Sequence, residues 1–209
     1  MKKLKNLTGA KLIIFCAAVL CMLWLGKNVA TFGYESFLRS TGKMETVTYS
    51  ADDFELIGIV KTEKGEYVTT DGDPQLVMDI DMPVARISME CTFTVDPGEM
   101  LVYYSEADGR VYSAGKRYWF YAGSRDKNLY TAQMPVKNLK SVRLDPTTIA
   151  GNTMTIENIT FNGPKAIGEF FKVEFRDIFN LLVYSALLAA VITLAKETFD
   201  GLFTKRTRK

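Results

Sequence analysis

The sequence predicts an all-β sandwich or jelly-roll ectodomain flanked by two transmembrane α-helices, with a juxtamembrane amphipathic helix ahead of the second. Three observations carry this. Two long apolar runs lie near the ends of a 209-residue chain, basic residues flank both runs, and the stretch between them alternates apolar and polar residues with a period of two.

Residues 1–11 form a basic tail with Lys2, Lys3, Lys5 and Lys11. The apolar run of residues 12–30 follows. At 1.5 Å per residue it spans about 28 Å, close to the ~30 Å of a bilayer core. A cleaved signal peptide is the competing reading, with the three early lysines as its charged region. Asn28-Val29-Ala30 is a poor cleavage site, which favours a retained anchor. Residues 31–43 form a collar whose Phe32, Tyr34 and Phe37 suit the interface, where the first helix can continue beyond the bilayer.

In residues 164–177, Ile167, Phe170, Phe171 and Phe175 recur at helical spacing and lead into Ile178. This pattern predicts an amphipathic helix on the outer membrane surface or under the domain. Residues 178–195 are the second span, and residues 196–209 are a basic tail ending in Lys205, Arg206, Arg208 and Lys209. The positive-inside rule then places both termini in the cytoplasm and the middle of the chain outside. Ser185, Ala189 and Thr193 share one stripe of the second helix, and Ala17 and Cys21 share one of the first. Small residues at this spacing let helices approach closely, either each other or a larger membrane protein.

Residues 44–163 read as the β-domain. Residues 86–94 alternate Ile87, Met89, Cys91 and Phe93 with Ser88, Glu90, Thr92 and Thr94, as in a half-buried antiparallel strand. Residues 153–161 alternate likewise, with a phase slip near Asn158 that predicts a bulge. Further strands are expected at 54–61, 67–70, 76–80, 100–105, 118–121, 129–134 and 141–144. Turn signals such as Asp71-Gly72-Asp73-Pro74 and Asp96-Pro97-Gly98 separate them. Short strands at such spacing, without a helix between them, predict a sandwich or jelly roll.

Composition narrows the function. Residues 31–163 hold 13 Lys/Arg and 19 Asp/Glu, whereas the rest of the chain holds 13 and 5. An acidic middle argues against nucleic acid as a partner. The basic ends suit an anionic membrane surface, making lipid a partner. Of three cysteines only Cys91 lies in the domain, so no disulfide can form within it. Such a domain is more typical of bacteria, which points to a bacterial plasma membrane. The chain has no histidine. That removes Ser-His and Cys-His mechanisms and the commonest zinc ligand.

Sugar recognition needs flat aromatic faces beside hydrogen-bonding groups. Trp119 and Tyr121 are the preferred exposed pair of their strand, near Arg117 and Arg125, with Tyr103 and Tyr104 on another strand. The competing reading packs these rings in the core. Asp71, Asp73, Asp79 and Asp81 raise calcium, but their spacing is not that of an EF-hand loop. No constellation assigns distinct catalytic roles, so neither an enzyme nor a metal nor a cofactor is expected.

Two local patterns carry a family resemblance. Asp71-Gly72-Asp73-Pro74-Gln75-Leu76 opens a strand. Val142-Arg143-Leu144-Asp145-Pro146 precedes Gly151 and Thr155-Ile156-Glu157-Asn158-Ile159. With the strand at 100–105, this resembles the jelly-roll ectodomains of bacterial membrane proteins of surface-polysaccharide assembly, which accompany or extend glycosyltransferases. The resemblance spans residues 67–161, and no glycosyltransferase domain accompanies it here. It implies a role beside a glycan rather than a catalytic one. On the residues alone, Asp73-Pro74 and Asp145-Pro146 read as strand-edge turns, with Arg143 and Asp145 on one strand face.

The expectation is therefore a non-catalytic, membrane-anchored accessory subunit of cell-surface polysaccharide synthesis or export. Its partner would be a larger membrane protein such as a glycosyltransferase or polysaccharide transporter, and its jelly roll would contact glycan. The alternatives are an extracytoplasmic sensor signalling through a membrane partner and, more weakly, a tethered glycan hydrolase.

Overall fold

The structure, a computed structural model, describes residues 9–123 and 127–206, with side chains described through residue 199. Arg125 and the tail residues Lys2, Lys3, Lys5, Arg208 and Lys209 lie outside the described residues. The chain divides into two compact units. One is Tyr34–Pro164, and the other joins Met1–Gly33 to Lys165–Lys209.

The second of these units is helical. Helix α1 runs Gly9–Ser40, α2 is the single turn Ile167–Phe170, and α3 runs Phe175–Arg206. Two helical stretches are long and apolar enough to cross a membrane, and only 11% of each apolar window is buried. Ile14, Leu23, Leu182 and Leu194 are among the large apolar side chains left exposed on them. Ser185 and Ala189 are buried, and Ala189 packs against Leu12, Cys16 and Ile192. The small residues of α3 thus serve close packing within the hairpin. On α1 the buried partners are Leu12 and Cys16, whereas Ala17 is half-buried and Cys21 exposed. The stripe expected at Ala17 and Cys21 therefore lies elsewhere on the helix, and Ser185 and Ala189 are not free to dock a partner. Thr193 remains exposed, its hydroxyl donating to the Ala189 carbonyl at 2.9 Å.

The amphipathic helix expected over 164–177 is also corrected. Only α2 and the first residues of α3 are helical there. The chain is non-helical at 171–174 and restarts where the Glu174 N–H donates to the Asp177 carboxylate at 3.0 Å. That side-chain bond supplies a partner for one of the orphan donors of a helix start and begins α3 at Phe175.

The other unit is the β-domain. Its strands are β1 Val47–Tyr49, β2 Glu55–Ile57, β3 Ile59–Lys61, β4 Tyr67–Thr69, β5 Gln75–Phe93, β6 Leu101–Ser105, β7 Arg117–Trp119, β8 Tyr121–Ala122, β9 Leu129–Asp145 and β10 Thr153–Phe161. All described pairings are antiparallel. β5 and β9 are long enough to serve two layers. The first part of β5 and the last part of β9 pair with each other, with β2 beside β5 and β6–β7 beside β9. Their other halves pair again, now with β10 beside β5 and β8 beside β9. β1 and β4 flank β10, and β3 pairs with β4.

The two layers close on one core. Leu76, Val102, Tyr104, Val142 and Leu144 of the first meet Ile87, Met89, Met154, Ile159 and Phe161 of the second. This is the expected sandwich, but its central strands were expected as four. β5 replaces the strands expected at 76–80 and 86–94, and β9 those at 129–134 and 141–144. Register shifts fall between Asp79 and Met82 and between Val84 and Arg86, next to Pro83 and opposite Pro135. Proline cannot donate to a ladder, so within sheets it collects at bulges. Here the bulges bend the strands from layer to layer instead of ending them.

The strand expected at 54–61 is instead cut into β2 and β3 at Gly58, where φ is +65° and a Cβ would sit 2.7 Å from the Asp71 carboxylate. The slip expected near Asn158 is present between Ile156 and Asn158. Residues 34–40 of α1 belong to this unit through Leu38, which packs with Met44 and Ala85, and through a buried ion pair of Glu35 with Arg86.

Candidate functional site

The outward face of the first layer gathers residues that are far apart in the chain. On β9, Val142 and Leu144 are fully buried in the core, so Ser141, Arg143 and Asp145 point the other way. β6 alternates likewise: Val102 and Tyr104 point inward, Leu101, Tyr103 and Ser105 outward. Tyr103 stands opposite Arg143 of β9 on one side and Arg117 of β7 on the other. Leu101 stands opposite Asp145 and Trp119 in the next row. The register therefore builds two adjoining rows: Arg117–Tyr103–Arg143, and Trp119–Leu101–Asp145.

Arg143 organises the acidic side of this face. Its Nε donates to Asp145 Oδ1 at 2.7 Å and its Nη2 to Asp145 Oδ2 at 2.8 Å, a two-pronged pair. The same Nη2 also reaches Asp73. The guanidinium carbon lies 5.0 Å from the Tyr103 ring centroid, a cation–π distance. Asp73 is placed by the turn ahead of β5, where its backbone N–H donates to the Asp71 carboxylate at 2.9 Å. Its second oxygen accepts from the Gln75 amide at 2.8 Å. Burial pushes the Asp145 carboxyl above its ordinary range, although Arg143 pulls it down. Pro74 and Pro146, beside these two acids, are buried. The turn reading of Asp73-Pro74 and Asp145-Pro146 thus describes the backbone, while the side chains are held by one arginine.

Arg117 and Trp119 form the other side. The Arg117 guanidinium lies 5.2 Å from the Trp119 ring centroid, and Trp119 is 41% exposed. A ring so exposed, with a guanidinium beside it, offers what a pyranose needs: an apolar face beside hydrogen-bond donors.

Two expectations change here. Tyr104 is only 5% exposed, stacked on Tyr118 with centroids 5.8 Å apart and 24° between planes. It is a core ring, because residues 103 and 104 take opposite faces of β6. Trp119 and Tyr121 do not share one strand either. Phe120 is buried, its N–H donates to the Met100 carbonyl at 3.0 Å, and the pairing changes there from β6 to β9. Tyr121, 67% exposed, opposes Thr131 in the second layer.

The third row is Ser105, Ser141 and Asp79; its two serines are buried, and Ser141 and Asp79 border a polar cleft of about 470 Å³. Arg110 spans Asp79 and Glu55 there, and Lys140 meets Asp81 at 2.9 Å. The Arg110 guanidinium holds Asp79 below the usual carboxylate range. The acids weighed for calcium are therefore engaged separately: Asp71 in a turn, Asp73 on Arg143, Asp79 on Arg110 and Asp81 on Lys140. Among the described residues no three His, Cys, Asp or Glu side chains gather as a metal site. Cys91 is buried, and burial pushes its thiol up to about 12, well away from a reactive thiolate.

No known protein-family model matches the chain, and no curated protein sequence matches it. Solved structures do. A low-affinity xylan-binding module from Roseburia intestinalis aligns at 12% identity and a TM-score of 0.39, over 56% of this chain and 95% of that one. A family 6 carbohydrate-binding module from Clostridium cellulolyticum, solved with xylose, aligns at 14% identity and 0.40, over 56% and 97%. A family two carbohydrate esterase from Cellvibrio japonicus aligns at 13% and 0.36, over 57% and 34%. Likeness at this level transfers no ligand and no binding residue to this chain.

Proposed function

We propose that the β-domain is a non-catalytic glycan-contacting module carried on a two-pass membrane anchor. The observation that supports it is the register that sets Tyr103 between Arg117 and Arg143 with the exposed Trp119 in the adjoining row. Rings, guanidiniums and carboxylates meet on one outward face, and Asp79 of the third row borders the polar cleft beside it. Such a track suits a chain of sugars better than a single small molecule, because it supplies successive polar and apolar contacts along β6, β7 and β9.

In this reading the protein is an accessory subunit at a bacterial plasma membrane, with both termini in the cytoplasm and the module outside. It would hold or guide a surface polysaccharide beside a larger glycosyltransferase or transporter. The two apolar helices and the basic ends of the sequence support the membrane setting.

The test has two parts. Full-length protein in detergent is passed over an array of neutral and acidic oligosaccharides, beside Trp119→Ala. Binding by the parent and its loss in the variant support the reading, and absence of binding across the array overturns the glycan role. Mild-detergent purification from the native membrane then identifies the partner. A glycan-assembly protein supports the accessory role, a kinase or anti-sigma partner favours the sensor alternative, and a lone chain counts against both.

A further inference from the structure

Arg117 differs from the other cations of its face. Arg143 is neutralised by Asp73 and Asp145, Arg110 by Asp79 and Glu55, and Lys140 by Asp81. Arg117 makes no ion pair among the described residues. The sole interaction of its side chain there is the cation–π contact with Trp119. An arginine guanidinium stays charged at any physiological pH and carries five N–H donors in a planar fork that matches a carboxylate or phosphate. The contact holds the guanidinium beside the Trp119 ring, and none of its N–H groups donates to a described residue.

The two sides of the face thus differ in charge. The acidic side is closed on itself, since Arg143 already satisfies Asp145 in two-pronged fashion and Gln75 takes the spare oxygen of Asp73. Among the described residues, the Trp119 side presents a positive charge without a counter-charge. The rows are neighbours in the sheet, with strands about 4.8 Å apart. A sugar lying over Tyr103 and Trp119 is therefore within reach of Arg117.

We infer that this face takes an anionic glycan, one whose sugars carry a carboxylate or phosphate, with the Arg117 guanidinium receiving the charge and Trp119 the ring. This rests on the glycan-contacting reading above and adds the charge of the ligand. Arg117 is then a specificity-determining residue. A neutral glycan would leave the guanidinium without a charged partner, whereas an acidic one gains a charge-assisted, two-pronged bond.

The experiment measures binding of full-length protein, in uncharged detergent, to oligogalacturonate and to the same oligosaccharide fully methyl-esterified. A phosphomannan oligosaccharide and its dephosphorylated form provide the second pair. Inorganic phosphate and phosphatidylglycerol vesicles are the sugar-free competitors. The acidic form of at least one pair should bind about ten-fold tighter than its neutral form, as one charge-assisted bond of ~1.5 kcal/mol allows. Added salt should shrink that preference. Arg117→Gln should abolish it, Arg117→Lys should keep part of it, and Trp119→Ala should weaken acidic and neutral forms alike.

Equal binding of acidic and neutral forms, or a preference intact in Arg117→Gln, overturns the inference and leaves the glycan reading standing. Full competition by phosphate or by the vesicles overturns it in favour of a plain anion or lipid-headgroup site. No binding of any oligosaccharide overturns both readings.

Discussion

Tyr103 and Arg143 face each other across β6 and β9, the guanidinium carbon 5.0 Å from the ring centroid. Forty residues separate them in the chain, and only the pairing of those two strands makes them neighbours. That contact ties the aromatic side of the face to the acidic pair Asp73 and Asp145. A charge partner and a ring partner hold the same guanidinium, so its position is set on two sides.

Removing the arginine should therefore cost stability. Arg143→Ala leaves the Asp145 carboxylate, 8% exposed, without its pair. A drop of about 2–3 kcal/mol is expected, because a buried charged acceptor then lacks a donor. Arg143→Lys should recover only part of it, since an ammonium cannot make the two-pronged pair. Urea unfolding of the full chain in detergent, followed by tryptophan fluorescence, measures both. An Arg143→Ala variant as stable as the parent would mean the pair is idle.

The pH dependence has two opposing parts. Burial raises Asp145 above its ordinary value of 3.8, so its contribution is fully present below that value and is lost as pH rises through the raised folded-state value. Arg110 lowers Asp79, whose contribution is present above 3.8 and is lost as pH falls through the lowered one. Thermal midpoints between pH 3 and 6 separate them. The parent should lose stability relative to Asp145→Asn as pH rises through the window, and should gain relative to Asp79→Asn from its acid end upward.

Core and face should separate under mutation. Tyr104→Ala is expected to cost about 3–5 kcal/mol, as removal of a buried aromatic side chain does. Trp119→Ala, at an exposed edge strand, should cost under about 1 kcal/mol. Urea unfolding followed by circular dichroism gives both values, since Trp119→Ala removes the domain's one tryptophan. A Trp119→Ala variant as unstable as Tyr104→Ala would make Trp119 a packing residue and remove it from the candidate site.

Asn162 is a structural clamp. It is fully buried, adopts φ +54°, accepts from the Ala85 N–H at 2.9 Å and donates to the Pro83 carbonyl at 2.7 Å. Asn162→Gly keeps the backbone freedom and loses these bonds together with the one to the Glu45 carbonyl, whereas Asn162→Ala also strains the backbone. Both should destabilise, Gly by about 1–3 kcal/mol and Ala by more. Thermal unfolding ranks them, and Ala more stable than Gly would contradict the role of the positive φ.

The hairpin packing is open to cross-linking. Cys16 and Ala189 belong to one buried cluster. In a Cys21→Ser background, Ala189→Cys should form an intramolecular disulfide with Cys16 under mild oxidation. Leu188→Cys, one residue away on the helix, should not. Mobility on non-reducing gels after cleavage in the domain reads this out, and equal cross-linking from both positions would contradict the packing.

Local chemistry made much of this protein legible from its sequence. Unbroken apolar runs of bilayer length give long helices in any context, and the period-two alternation of residues 86–94 and 153–161 puts one set of side chains on one face. The slip near Asn158 was readable for the same reason. Arg143 and Asp145, two apart on a strand, could be seen to share a face. Turn and proline signals misled where Pro83 and Pro135 sit in bulges, because a proline that bends a strand looks, locally, like one that ends it.

Tertiary structure alone decided which faces meet. Whether Tyr103 or Tyr104 points outward depends on which side of β6 the second layer covers, and Phe120 ends the shared strand of Trp119 and Tyr121 because the core takes it. The use of Ser185 and Ala189 within the hairpin depends on the other helix. The outward face itself exists only through register: a shift of one residue in β6 would turn Tyr103 into the core and separate it from both arginines. Sequence carries the residue types and their alternation, but strand pairing over forty residues and more is set by how the whole core closes.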